Sequence, residues 1–225
     1  LLFFSIFTQA QWVIKDPVVD VRILDQPFSA IQVEGNLELY LIPNDSAIVA
    51  LSGSNNAVLE RIDTRIEGST LMIAGGGTKK QTARVYVGFK NLVSLEASGA
   101  VEIIGSLPFV SDSMAIKLSG QVQLKVDLEL RVLHMQLSGA SNAVLNGDIQ
   151  NVHVHCSGAS DLKGPDLMVT YCDARAGGAS DIEISSVEHL KANATGVSRI
   201  MYHNIPTTIE SFSSPLSKVF RVVKP

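Results

Sequence analysis

The chain is poor in the residues that usually mark a chemical site. Its 225 residues include only two cysteines, one tryptophan and five histidines, and aromatic residues make up 6%. The formal net charge is -4, so the sequence lacks the basic surplus that nucleic-acid binding requires. No CxxC, HExxH, GxSxG or phosphate-loop pattern occurs in it. We therefore predict no nucleic-acid partner and no cofactor.

Long apolar runs are also absent after the first residues. Leu1 to Phe7 form an apolar run, and Thr8 to Ala10 offer the small residues that a signal peptidase reads. We interpret residues 1–10 as the remnant of a secretory signal; the competing interpretation is a buried first strand. An exported protein is expected, in the periplasm, at the outer surface or secreted. Because no later run reaches eighteen apolar residues, no membrane span is expected.

What the sequence does contain is a repeated phrase. "SGAS" occurs at 138–141 and 157–160, and close variants of it precede and follow these copies. The glycines of the phrase follow one another at steps of 18 to 21 residues, and Pro215 takes the glycine position in a seventh copy. They are Gly99, Gly120, Gly139, Gly158, Gly178 and Gly196. A fixed period of this length predicts a solenoid of stacked coils.

The residues before each glycine alternate between apolar and polar side chains, which is typical of a β-strand with one buried face. A short second strand is predicted after each glycine, with one apolar residue pointing inward. The predicted inward positions before the glycines are Val93, Leu95, Ala97, Met114, Ile116, Leu118, Leu133, Met135, Leu137, Val152, Val154, Cys156, Cys172, Ala174, Ala176, Leu190, Ala192 and Ala194. Those after the glycines are Ile103, Leu124, Ala143, Leu162, Ile182, Ile200 and Val219.

A unit of two or three short strands cannot bury its own apolar face, but a stack of such units can. The sequence therefore predicts an all-β fold, a right-handed parallel β-helix with coils of about 19 residues. Serines recur at one position after each turn, and if they face inward they are expected to form a hydrogen-bonded ladder along the axis. These are Ser141, Ser160, Ser180, Ser198 and Ser217.

The first part of the mature chain is predicted to differ from the rest. Residues 16–90 lack the phrase, except for "LSGSNN" at 51–56, and are expected to form a β-rich N-terminal cap with the first irregular coils. Residues 91–225 are expected to form the regular coils, and 16–225 one continuous domain. The two cysteines fall four strand positions apart in this alignment, about 13 Å, which is beyond disulfide reach. Cys156 and Cys172 should therefore be free thiols in the core.

These residues also resemble a known family. The apolar start, "FSAIQVEGNLELYLIPN", "GSTLMIA", "VYVGFKNLVSLEASGAVEI" and the repeated "SGAS" together look like the head GIN domain family of auto-transporter adhesins, found largely in Bacteroidetes-type bacteria. The resemblance covers about Asp20 to Val222. It implies a right-handed β-helix, an exported protein and a role in adhesion. No catalytic residues come with the family.

Two exposed columns of polar residues are candidate sites, because stacked coils place like positions about 4.8 Å apart. The column after the glycine contains Asn142, Asp161, Asp181 and Arg199, the predicted binding residues. Asp161 and Asp181 would lie near 5 Å apart, which is close to the carboxylate separation of a retaining glycosidase. Arg199 could then neutralise a uronate carboxylate. A solvated column of alternating charge is the competing interpretation.

The column before the glycine contains His134, His153 and Asp173, with His155 diagonal to them. Imidazole and carboxylate groups on consecutive coils could bind a transition metal. The competing interpretation is a solvated polar face, and we predict no metal site here.

Three classes of function follow from the sequence. The leading hypothesis is an exported, non-enzymatic β-helix that binds a glycan or a protein at the cell envelope. The second is a carbohydrate-active enzyme that acts on acidic polysaccharide through Asp161, Asp181 and Arg199. The third is a structural protein that self-associates into homo-oligomers through a face or an end.

Overall fold

The computed structural model describes residues 14, 16–24, 26–78 and 81–223. Strands account for 71% of the chain and wind into a β-solenoid of about 6 turns, which confirms the predicted all-β parallel β-helix. The right-handed sense of the coil stays a prediction. The elements are Val18–Ile23 (β1), Ala30–Pro43 (β2), Ile48–Gly53 (β3), Asn56–Leu59 (α1), Ile62–Glu67 (β4), Thr70–Gly76 (β5), Ala83–Phe89 (β6), Ser94–Gly105 (β7), Phe109–Gly120 (β8), Gln123–Leu137 (β9), Asn142–Cys156 (β10), Asp161–Ala176 (β11), Asp181–Ala194 (β12), Arg199–Tyr202 (β13), Thr208–Ser213 (β14) and Lys218–Arg221 (β15).

The strands from β7 onward stack in parallel and in the register that the repeat predicts. Asn142 pairs with Gln123 on one side and with Asp161 on the other, and Val154 pairs with Met135 and Ala174 in the same way. Every predicted inward residue is buried except Val93 and Val219. Val219, in the last coil, is only partly buried. The core is therefore one continuous apolar column inside the solenoid.

Val93 was expected to point inward, and this prediction is wrong. Its side chain is exposed, whereas the neighbouring Leu92 is buried. Strand β7 begins only at Ser94, so Val93 lies in the corner before it, where its N–H donates to the carbonyl of Ser29. The period-two pattern does not extend into the corner, and Leu92 takes the inner position.

The glycine of the phrase is required at the corner that follows each inward-facing strand. Gly158 has φ +74°, and a Cβ there would lie 2.7 Å from the carbonyl oxygen of Gly139 in the preceding coil. Left-handed backbone of this kind is unstrained only for glycine. The same column continues below the repeat, because Gly35 pairs with both Gly75 and Gly99. The N-terminal segment therefore contains two glycines of this column with positive φ, Gly35 and Gly75, which lie within β2 and β5 and which the search for the repeated phrase missed.

The serines after the turn are buried as predicted, but they do not bond to one another along the axis. The Ser160 hydroxyl donates to the carbonyl of Ser157, three residues back, at 2.8 Å. It also lies 3.4 Å from the carbonyl of Leu137 in the preceding coil. Ser198 repeats this arrangement with Thr195 and Ala176. Each serine hydroxyl therefore donates to backbone carbonyls at a corner. The ladder along the axis is formed by side-chain-to-backbone hydrogen bonds and not by bonds between serine side chains.

The N-terminal strands stack in an order that differs from their order in the chain. β2 pairs in parallel with β7 on one side and with β5 and β6 on the other. Three further pairings are antiparallel: β1 pairs with β3, β3 pairs with β6, and β4 pairs with β5. The "LSGSNN" segment covers the end of β3, the turn after it and the first residue of α1, so it is not a copy of the coil phrase. Val58 and Leu59 of α1 are buried in the core.

The two cysteines are free and buried, as predicted. Cys156 pairs with Leu137 and Ala176 in the neighbouring coils. Cys172 pairs with Val152 and Leu190. Among the described residues, no helix is both long and apolar enough to cross a membrane. Residues 1–10, which carry the predicted signal, lie outside the described residues.

Candidate functional site

The predicted column after the glycine is formed by residues in direct register. Asn142 pairs with Asp161, Asp161 with Asp181, and Asp181 with Arg199. All four side chains reach solvent, and Lys218 extends the column into the last coil. The column is flat, because each residue comes from the same position of a parallel strand. The sequence alignment therefore placed these residues correctly with respect to one another.

Arg199 and Asp181 form a two-point ion pair in this column. The guanidinium Nε lies 2.9 Å from Oδ1 of Asp181, and its Nη2 atom binds Oδ2. These hydrogen bonds raise the pKa of Arg199 above its usual range. A nucleophilic carboxylate must be free to approach the sugar, whereas both oxygens of Asp181 are engaged. The geometry therefore gives the glycosidase hypothesis no support.

The four candidate residues of the metal alternative are neighbours, but their side chains do not converge. The rings of His134 and His153 are stacked, with centroids 4.9 Å apart and planes within 9°. Both carboxylate oxygens of Asp173 accept hydrogen bonds from Arg175 on the same strand. In the part of the chain that the structure describes, no three His, Cys, Asp or Glu side chains are grouped so that they could hold a metal ion.

The histidine column is part of a wider exposed face that the sequence analysis only partly assembled. Tyr171 and His189 lie in the adjacent column, where their rings stack with centroids 4.5 Å apart. His189 also bonds through Nδ1 to the Thr208 hydroxyl at 2.8 Å. Both residues are two positions before the column of Asp173 and Lys191, so the same period-two rule could have placed them on this face.

A second polar cluster lies at the N-terminal end and was not predicted. The Arg84 guanidinium binds the carboxylates of Asp16 and Glu38, each at 2.7 Å. Tyr40 donates to Glu38 and stacks on Tyr86. Burial and the Glu38 carboxylate raise the pKa of Tyr40 to about 12. These half-buried groups join β2, β6 and the segment before β1, so their geometry indicates a structural role.

The C-terminal end of the solenoid is not covered by the residues that the structure describes. Ile209 continues the inward column of Leu190, yet it is 45% exposed because no further coil among the described residues stacks on it. Phe212 and Leu216 in the same last coil are also largely exposed. Within the described residues, the N-terminal cap therefore has no counterpart at this end.

The chain matches one family model. The match covers residues 27–206 and is to the head GIN domain, described as a putative auto-transporter adhesin. The chain belongs to this family. The parallel coils agree with the fold that the resemblance implied. The adhesin description applies to the family model as a whole. No curated protein matches the chain.

Several solved structures share the fold of this head GIN domain protein. A putative adhesin from Bacteroides fragilis superposes with a TM-score of 0.78 at 16% identity, covering 92% of this chain and 98% of its own. One from Parabacteroides merdae gives 0.70 at 17% identity, with 91% and 95% covered. A putative lipid binding protein from Parabacteroides distasonis gives 0.71 at 17%, with 91% and 96% covered. At such identities the likeness concerns the fold alone.

Proposed function

We propose that the protein is an exported, non-enzymatic binding module of the adhesin type, which engages a glycan or a protein at the cell envelope through a flat lateral face. The observation that carries this proposal is the solvent access and the ion pairing of the side chains in the two exposed columns. Their charged side chains reach solvent from flat strands, and the candidate carboxylate Asp181 is held by Arg199. Family membership and the apolar start of the chain support the adhesin role and the export.

A binding module of this kind needs a rigid face rather than a reactive cavity. Residues on a parallel β-helix are fixed by the ladder hydrogen bonds on both sides of each strand, so the face loses little freedom when a ligand binds. The carbohydrate-active enzyme is not supported, because Asp181 is ion-paired. Self-association stays a prediction, supported by the exposed apolar residues of the last coil, and sedimentation over a range of concentrations tests it.

The proposal is tested with the purified chain on a glycan array and, in parallel, with a panel of acidic polysaccharides in solution. We expect binding on the array, and neither new reducing ends nor unsaturated uronates in solution. Asp181→Ala should leave binding within a few-fold of the wild type, since this carboxylate serves Arg199. Product formation that disappears in Asp181→Ala would establish the enzyme instead.

A further inference from the structure

Four of the five histidines of the chain lie on one face of the solenoid. We define the histidine face as the outward positions of β8 to β12 before the glycine corner. His134 and His153 are in direct register on it, and His155 follows two positions along β10. His189 stands on the next strand but one, beside Tyr171. The fifth histidine, His203, lies away from this face and bonds to Glu183.

The charged neighbours of these imidazoles nearly balance one another. The cations on the face are Lys117, Arg175 and Lys191, and the anions are Asp173, Glu96 in register with Lys117 and, in the last coil, Glu210. At the corner beside the face, Asp112 is paired with Arg131, and Glu188 adds a further carboxylate. Because histidine is the side chain whose charge changes between pH 5 and 8, acid adds positive charge to this face. The chain as a whole carries -4 at pH 7, so the positive charge is local.

The geometry of the face suits a linear ligand. His134 and His153 present parallel rings 4.9 Å apart, and Tyr171 and His189 present another pair 4.5 Å apart. Stacked rings cover each other's faces, so a ligand meets the ring edges that carry the nitrogen donors. The same kind of donor recurs on successive coils about 4.8 Å apart. A polymer with one anionic group per repeat can contact several coils at the same time, and such repeated contacts raise its affinity.

We propose that the histidine face binds an anionic polysaccharide, with carboxylate or sulfate groups held by the imidazole edges and by Lys117, Arg175 and Lys191. This inference rests on the proposed function as a binding module. Two positively charged imidazoles at stacking distance repel each other, and an anionic group placed against their edges offsets that repulsion. Binding of the polyanion and protonation of the face therefore strengthen each other.

The test uses dextran sulfate and polygalacturonate, with neutral dextran and polyglutamate for comparison, all in EDTA so that no metal bridges the ligand. We expect the wild-type chain to bind both anionic polysaccharides, at least tenfold more tightly at pH 5.5 than at pH 7.5. Neutral dextran should not bind, and polyglutamate should bind at least tenfold more weakly. His134→Gln/His153→Gln/His155→Gln should lose at least tenfold in affinity at pH 5.5 and most of the pH dependence.

The matched control is His203→Gln, which removes one histidine from outside the face and should stay within twofold of the wild type. All three substituted histidines are exposed, and an unchanged circular dichroism spectrum and melting curve verify that the triple variant is folded. Wild-type affinity in the triple variant, or equal binding of polyglutamate, overturns the inference. If the array instead shows only neutral glycans, the histidine face is excluded while the binding module stands. If the chain binds nothing and cleaves a polysaccharide, the proposed function itself falls.

Discussion

At the scale of single residues, the fold depends on positions where only one type of residue fits. The corner glycines have positive φ and face a carbonyl of the preceding coil, and the buried serines satisfy carbonyls at the same corner. Both residue types recur because each coil repeats the same backbone geometry on top of the last. Their recurrence is therefore a consequence of stacking, and it can be tested at one corner.

Gly158→Ala should destabilise the protein by about 2 kcal/mol or more, since left-handed backbone costs a non-glycine residue about 1–2 kcal/mol and the new Cβ would meet the Gly139 carbonyl at 2.7 Å. Gly68→Ala is the matched control, because Gly68 has φ +61° but open space around its Cβ position. It should lose only the backbone share, about 1 kcal/mol. Urea denaturation measures both, and equal losses would mean that the close approach between coils contributes nothing.

The buried thiols give the protein a predicted loss of stability in alkali. Burial raises the pKa of Cys156 and of Cys172 to about 12, above the ordinary thiol value of 9.0. The folded thiols thus keep their protons where unfolded thiols begin to lose them. This contribution to stability is complete below pH 9 and is lost as the pH rises toward 12.

Urea midpoints between pH 7 and 11 should therefore fall more steeply for the wild type than for Cys156→Ala/Cys172→Ala. The raised pKa of Tyr40 acts in the same direction in both proteins, so the difference between the two slopes isolates the thiols. Parallel slopes would contradict the assignment. In native protein at pH 8, neither thiol should react with a maleimide, whereas both should react in urea.

At the scale of the strand, each coil is held by its two neighbours. Val154 is 2% exposed and lies between Met135 and Ala174. Val154→Asp places a charge with no partner inside the solenoid, which costs several kcal/mol. Because neighbouring coils depend on that contact, we expect several coils to unfold together and the far-ultraviolet circular dichroism signal to fall. Leu137→Asp should behave alike.

His155→Ser is the control for this substitution, since His155 is the next residue along β10 and faces solvent. Its melting curve should coincide with that of the wild type. A folded Val154→Asp variant with a wild-type melting temperature would mean that this position is not part of the core.

Much of the strand pattern could be predicted from the sequence because parallel stacking converts a linear period into a column. Asn142, Asp161, Asp181 and Arg199 were placed in register by counting alone. The ion pair between Arg199 and Asp181 and the stacking of His134 on His153 were not predicted, since they depend on side-chain rotamers. Val93 was placed wrongly, because the alternation stops at a corner.

At the scale of the whole molecule, the two ends of the solenoid differ. The N-terminal end is covered by antiparallel strands and by Val58 and Leu59 of α1, whereas every residue of β14 is exposed. Terminal coils of a solenoid have one neighbour instead of two and so open at lower free energy. The stability of this protein should therefore be graded along its axis.

Hydrogen exchange measured by mass spectrometry should show this gradient. Amides of Thr208–Ser213 and Lys218–Arg221 are expected to exchange at least a hundredfold faster than those of Asn142–Cys156, which has a coil on either side. Uniform protection from β9 to β15 would show instead that the coils open only as one unit.

The placement of β2 has a consequence for how the chain assembles. From β9 to β11, paired residues are separated by 19 or 20 positions, as Asn142 and Asp161 are, so each new coil closes only a short loop. Ala30 of β2 and Ser94 of β7 are 64 positions apart. The residues between them include β5 and β6, which must pair with the other side of β2. Closing the longer loop costs more chain entropy before any contact compensates it. We therefore expect the pairing of β2 on both sides to limit the folding rate. The remaining coils should then add quickly, one after another, toward the C-terminus.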